Sequence, residues 1–411
     1  MISSWLTVFF SWRILVVFLL GFASGLPLLL TGSLLQAWMK ESQVDLATIG
    51  LFSLVGLPYT VKFLWAPLCD GVTPSRLGRR RGWLLIAQLG LIAALLILSF
   101  GQPQQPWTVA LAALTVTFFS ATQDVVIDAY RRETLADEEQ GLGAALAVNG
   151  YRLGMLLAGG GGLILADFLP FPQVYWLMAG VMALCLPIGL FASEPLLSAG
   201  SPKTIREAVV KPFLEYFQRP NALTLLLFIL LYKMGDIMAS QLTTPFFLDL
   251  GFSKTEIGAI VKLVGLWATL SGGVVGGIWI LRLGIHRALW WFGLLQGVAT
   301  ASFSVLALVG HIVPALALSV ALENFTGGLG TAAYVAFMAS LTNRCFTATQ
   351  YALLSSVMGI PRVLIAAPAG FLVTFTGWPI FFALCVLAAV PGLLLLKWLT
   401  HKTSEKTMGD S

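Results

Sequence analysis

Runs of apolar residues about as long as a bilayer-crossing helix alternate with short polar breaks along almost the whole chain. A helix needs roughly 20 apolar residues to cross the hydrocarbon. Twelve stretches meet that need, near 14–39, 47–69, 83–100, 107–130, 142–166, 172–192, 222–249, 255–281, 288–308, 313–341, 350–375 and 378–398. Each is predicted to be a transmembrane helix. The first is too long and too uniformly apolar for a signal peptide, and no A-x-A-like site follows it, so it is expected to be retained as the first anchor. The longest polar stretch, residues 193–221, is charged and broken by prolines, and it reads as a linker between two six-helix halves. The expected divisions are residues 1–192 and 222–398 for the halves, 193–221 for the linker and 399–411 for a tail.

Composition agrees with this pattern. Of 411 residues, 58% are apolar and only 10% charged, with mean hydropathy +0.88, far from the roughly 25% charge of a soluble chain. The net charge of +5 does not indicate nucleic-acid binding, because 17 of the 24 Lys and Arg residues fall in loops and ends assigned to one side. That asymmetry is the positive-inside signature, and with an even number of spans it puts both termini in the cytoplasm. The four cysteines show no CxxC spacing and read as small buried hydrophobes.

An internal repeat supports two halves. Leu54-Val55-Gly56-Leu57 recurs as Leu263-Val264-Gly265-Leu266, Gly150 and Arg152 are answered by Gly359 and Arg362, and Leu169-Pro170 by Trp378-Pro379. The shared offset of 209 or 210 is the informative part. Two parallel six-span halves resemble the major facilitator arrangement, an all-α polytopic fold of twelve transmembrane helices with a substrate site near the midplane. The loop LCDGVTPSRLGRRRG, with Asp70 before Arg79, Arg80 and Arg81, resembles that superfamily's signature loop, although the insertion 72–77 departs from the usual spacing. Asp70, Arg79, Arg80 and Asp128 read either as a latch on the cytoplasmic side or as topology determinants and caps.

Nine ionisable residues fall within the spans: Lys62, Asp124, Asp128, Arg152, Lys233, Asp236, Lys262, Glu323 and Arg362. Left unpaired at helix centres they would cost roughly 25 kcal/mol on insertion scales, so they must face partners or water. Asp124 and Asp128, four residues apart, share one face of the fourth span with Thr117, Ser120 and Ala121. Lys233 and Asp236, one turn apart, either pair together or serve substrate. At 1.5 Å per residue, Arg152 and Arg362 lie roughly 16 to 18 Å in from the span ends, near the midplane. Two arginine forks there suit an anionic ligand, or they merely neutralise acids. A buried acid whose partner leaves can load or release a proton, so Asp124, Asp236 and Glu323 are the candidate proton carriers. Aromatic residues at these depths, Tyr151 and Trp267 among them, suit sugar rings. The glycine clusters at 158–162, 270–277 and 326–330 read as packing and hinge elements, since no GKS or GKT follows them.

With these residues in view, the chain resembles the AmpG muropeptide permease family. The resemblance rests on LGFASGLPLLLTGSLLQAWM, TIGLFSLVGLPYTVKFLWAPLCD with GRRRGWLL, SATQDVVIDAYRRE, GYRLGMLLAGG, LYKMGDIMASQLTT, VKLVGLWAT, LENFTGGLGTAAYVAFMASL and ATQYALLSS. It implies proton-coupled import of N-acetylglucosaminyl-1,6-anhydro-N-acetylmuramyl peptides across a bacterial inner membrane, upstream of wall recycling and β-lactamase induction. It places Lys62, Gln123, Arg152, Lys233, Lys262 and Asn324 in matching stretches as candidate substrate contacts, with Arg362 in a less closely matching one. Some family members carry two further C-terminal spans that are not found here. A carrier of another large anion, such as an acyl-coenzyme A, is the competing expectation. No HExxH, GxSxG or Cys/His constellation points to an enzyme. No cofactor or metal is expected, the proton gradient is the expected energy source, and the expected state is a monomer in the bilayer.

Overall fold

The computed structural model describes residues 11–44, 46–74, 76–196, 202 and 204–409, without the side chains of 46–47, 50, 53, 205, 254–255, 262, 362–371 and 400–409. Among these residues all regular structure is helical. Twelve helical runs fall on the twelve predicted stretches: α1 (Trp12–Glu41), α2 (46–71), α3 (Arg79–Ser99), α4 (Pro106–Thr134), α5 (140–166), α6 (Phe171–Phe191), α7 (Ala222–Asp249), α8 (Glu256–Leu283), α9 (Ile285–Val309), α10 (Val313–Ser340), α11 (347–376) and α12 (378–409).

Among the described residues, eight of these are long and apolar enough to cross a membrane by length and composition alone. Helices α2, α5 and α10, which carry Lys62, Arg152 and Glu323, fall short of that measure. Helices of that kind depend on neighbours to cover their polar groups.

The chain ends and bends its helices with recognisable chemistry. Ser11 caps α1, its hydroxyl accepting from the Ile14 N–H at 3.4 Å. Ser253 and Glu256 form a reciprocal capping box at the start of α8. The α11–α12 corner turns at Gly377, whose φ of 73° favours a residue without a Cβ. The second predicted span is not one smooth helix. Pro58 and Pro67 remove backbone donors, and the run breaks into short α and 3₁₀ pieces. The linker region also holds a helix, Ile205–Phe217, where the sequence suggested only a charged connection.

Two compact units result. The first comprises Met1–Tyr216 with Ala339–Ser356, and the second Phe217–Met338 with Val357–Ser411. In the first unit α1 lies directly against α5. A Cβ on Gly150 would stand 2.2 Å from the Phe18 carbonyl oxygen, and one on Gly25 would stand 1.9 Å from that of Tyr151. No side chain fits there, so the backbones touch. An apolar core gathers near Trp38, which stacks on Phe171 at 5.9 Å between ring centroids. In the second unit, glycines of the 270–277 and 326–330 clusters bring α8 and α10 together. A Cβ on Gly272 would meet the Phe325 carbonyl oxygen at 2.1 Å. Its core is aromatic, with Phe246 and Phe382 rings 4.7 Å apart.

The α1–α5 approach yields a test. Gly150→Val is expected to lower stability by about 1–3 kcal/mol or more, the usual cost of overpacking. Gly180→Ala, where nothing lies within 4 Å of a new Cβ, is expected to be neutral. Thermal unfolding and monodispersity of the detergent-purified variants check both.

Candidate functional site

Three polar clusters stand out, two in the first unit and one in the second. In the second unit, α7 supplies Lys233 and Asp236, whose ammonium and carboxylate meet at 2.7 Å. From α10 comes Glu323, only 9% exposed. Between them stands Gln296 of α9: its Nε2–H donates to Glu323 Oε1 at 2.8 Å and to Asp236 Oδ1 at 3.3 Å. One turn further along α9, Thr300 donates to the same Glu323 carboxyl at 3.2–3.3 Å. Lys233, Asp236, Gln296 and Thr300 border a cavity of about 20 Å³, room for about one water, which Cys385 and Val386 of α12 also line. Two carboxyl groups here share one amide donor and, among the described side chains, one ammonium.

Gln296 and Thr300 were absent from the sequence-based site. The signal was available in GLLQGVAT, where two polar residues four apart interrupt an apolar span on one face.

In the first unit, the polar stripe of α4 is largely dressed by α1 and α2. The Thr117 hydroxyl donates to the Val55 carbonyl at 2.8 Å, and the Tyr59 hydroxyl donates to Ser120 at 2.9 Å. Asp124 accepts from the Ser24 hydroxyl of α1. Lys62, 7% exposed, lies within electrostatic reach of both Asp124 and Asp128. Asp128 also pairs with Arg131 at 3.4 Å. Gln123 is fully buried, and neither end of its amide has a hydrogen-bond partner among the described residues.

The remaining candidates are more scattered. Tyr151 and Arg152 are half-buried on α5 and engaged with neighbours. Asn324 turns from Glu323 towards α8, accepting from the Thr269 hydroxyl at 3.0 Å. Trp267 is 69% exposed on α8, away from the Lys233 cluster's lining. Lys262 and Arg362 are helical, but their side chains lie outside those described.

The third cluster lies at the arginine-rich ends of α3 and α4. Arg80, 1% exposed, reaches Asp70 Oδ1 at 2.7 Å and Glu133 at 2.5 Å, and Arg79 joins Glu133 at 3.1 Å. Three consecutive arginines at a helix N-terminus oppose its dipole. Glu194 offsets this by accepting the Arg80 and Arg81 backbone N–H groups at 2.8 and 2.9 Å. Asp70 does the same for α11. Its oxygens accept the Ala348 and Thr349 N–H groups at 3.2 and 2.8 Å and the Thr349 hydroxyl at 2.7 Å. A remote carboxylate thus caps two otherwise orphaned helix donors. Nearby, Arg131 stands over the Tyr351 ring, 5.5 Å from its centroid. The sequence indicated Asp70 and the arginines, while Glu133, Glu194 and Thr349 became visible only in three dimensions.

With that geometry in place, known proteins give a consistent comparison. The Major Facilitator Superfamily profile matches residues 14–322. The chain is 46% identical over 400 residues to the anhydromuropeptide permease of Escherichia coli (strain K12), covering 96% of this chain and 81% of the relative. Among solved structures, the E. coli fucose:proton symporter FucP superposes with TM-score 0.74 at 11% identity, covering 94% of this chain and 98% of that one. The proton:xylose symporter XylE, bound to 6-bromo-6-deoxy-D-glucose, gives 0.69 at 12% identity over 94% of each chain. The two structural matches speak to the fold alone. The chain belongs to the major facilitator superfamily and, within it, to the AmpG muropeptide permease family. It is an integral membrane transporter, and the expectation that it is not an enzyme agrees with these relatives.

Two tests follow from the arginine-rich cluster. Asp70→Ala leaves Arg80 and the α11 donors short of a partner and is expected to cost about 3–5 kcal/mol, as breaking a buried pair does. Asp70→Asn keeps an acceptor but no charge, so its unfolding midpoint in detergent should fall between Ala and wild type. In the loop after α4, the hydrogen bond from Arg132, helped by Arg344, holds the Asp137 carboxyl below the usual carboxylate range. A depressed folded-state value means the contribution is present above the unfolded pKa, about 3.9, and fades as pH falls through the folded one. The midpoint difference between wild type and Asp137→Asn should therefore be constant from roughly pH 5 to 8 and shrink progressively as pH falls below roughly 4.

Proposed function

We propose that the chain imports anhydromuropeptides across a bacterial inner membrane, driven by the proton gradient through alternating access, with both termini in the cytoplasm. The observation that carries the reading is the 46% identity, over 96% of the chain, to a protein named an anhydromuropeptide permease. The buried chemistry supports it. A sugar peptide brings carboxylates, and Lys233 and Lys62 are cations held inside the spans near acids they can exchange for a substrate.

Proton coupling is supported by the Lys233 cluster. Asp236 and Glu323 have one ammonium between them among the described side chains, and uncompensated charge in a dry interior is expensive. One exchangeable proton completes the charge balance. When substrate carboxylate draws Lys233 away, Asp236 is left to be neutralised, which ties proton uptake to substrate binding. Asp124, hydrogen-bonded by Ser24 and close to Lys62, is the second candidate carrier. The Asp70 contacts with α11 support a latch that must open during the cycle.

The test is uptake of a labelled anhydromuropeptide into proteoliposomes with an imposed pH gradient. Wild type should accumulate it, and unlabelled anhydromuropeptide should compete better than a coenzyme A ester. Glu323→Gln should lose gradient-driven accumulation by at least about tenfold, a loss of 1.4 kcal/mol or more, while keeping exchange of substrate down its own gradient. Full gradient response in each of Asp124→Asn, Asp236→Asn and Glu323→Gln would overturn proton coupling through these groups. No uptake by wild type would overturn the substrate.

A further inference from the structure

Gln296 touches both acids of the Lys233 cluster, and it is held at one end only. Its Nε2 carries two hydrogens, one directed to Glu323 Oε1 at 2.8 Å and one to Asp236 Oδ1 at 3.3 Å. The other end, Oε1, is buried and has no hydrogen-bond partner among the described residues. Towards α10 it looks onto Gly327, where an added Cβ would lie 3.8 Å away. The small cavity that Gln296 lines together with Lys233 and Asp236 leaves the amide room to swing.

We propose that, within the proton-coupled import proposed above and resting on it, Gln296 is a positioning residue that passes the charge state of Glu323 to the Lys233–Asp236 pair. Loading Glu323 with a proton thereby frees Lys233 for the substrate carboxylate.

The physical basis is competition for one amide. A hydrogen bond to an ionised carboxyl is roughly twice as strong as one to a neutral acceptor. The shorter contact means that Glu323 holds the amide more firmly in this structure. Once a proton neutralises Glu323, Asp236 becomes the better acceptor and draws the amide across. Asp236 then depends less on the ammonium at 2.7 Å, and parting Lys233 from it costs less. Asp236 and Glu323 also feel each other's charge directly, so the amide adds to that field a contact with direction. Of the other polar groups lining the cavity, Tyr232 is committed to the Leu289 carbonyl at 2.8 Å. Thr300 donates to Glu323 and makes no hydrogen bond to Asp236 among the described residues, so it props one acid without joining the two.

Lys233 reports this bridge without any substrate. The purified full chain is treated at one fixed pH with formaldehyde and dimethylamine-borane, and methylation of Lys233 is followed by mass spectrometry. Glu323→Gln stands in for the proton-loaded state. With Gln296 present it should raise the Lys233 rate at least about threefold, the scale of exchanging a charged for a neutral acceptor. In a Gln296→Met chain, where the side chain is similar in size but cannot donate, that rise should shrink to less than about half. In a Thr300→Val chain, which lacks the other donor to Glu323 but keeps the bridge, the rise should persist in full. An equal rise with and without Gln296, or no rise with it, would overturn the proposal. A parallel rise at buried Lys62 would overturn it too, as the mark of a loosened fold. Because no substrate is added, an unchanged Lys233 counts against the bridge, whereas absent anhydromuropeptide uptake by wild type counts against the import reading.

Discussion

A charge taken out of water must find its counterpart inside the protein, and most of this structure can be read from that requirement. The spans that fall short of bilayer-crossing apolarity include the carriers of Lys62, Arg152 and Glu323, and these helices persist because neighbouring helices cover their polar groups. The bare glycine seams between α1 and α5 and between α8 and α10 serve the same end. Between α8 and α10 the close approach lets a side chain as short as Thr269 reach Asn324 across the seam.

The arginine-rich end illustrates how that requirement spreads. Arg79, Arg80 and Arg81 satisfy the membrane's preference for positive charge on one side, yet they stand where a helix N-terminus repels them. Three carboxylates answer: Glu194 at the backbone, with Glu133 and Asp70 at the guanidinium groups. Once Asp70 is committed there, its remaining lone pairs cap α11. A demand set by topology thus ends as a tertiary tie between residues 278 and 279 positions apart in the chain.

Much of this was legible in the sequence. Hydrophobic runs located the twelve helical runs α1 to α12, because bilayer thickness leaves a long apolar run little else to do. The acids and bases in those runs were equally plain. What the sequence hid was partnership. Asp124 was expected to face a partner or water, but nothing in the sequence named Ser24, a residue that a helix tolerates without comment, as the group that holds it. Gln296 carries no charge and so drew no notice, although it joins Asp236 to Glu323. The linker helix escaped because Pro212 and its charged residues mimic a loop, and its register emerges only when the buried and exposed sides are separated.

The repeated tetrapeptide has one more consequence. Leu54-Val55-Gly56 is wound tightly, as 3₁₀, while the matching Leu263-Val264-Gly265 is wound loosely, as a π turn. One string of residues adopting two pitches shows that its surroundings choose the screw, with sequence nearly indifferent. A span built this way is a spring with two rest lengths, able to twist or stretch by a residue when its neighbours shift, at the expense of one or two hydrogen bonds.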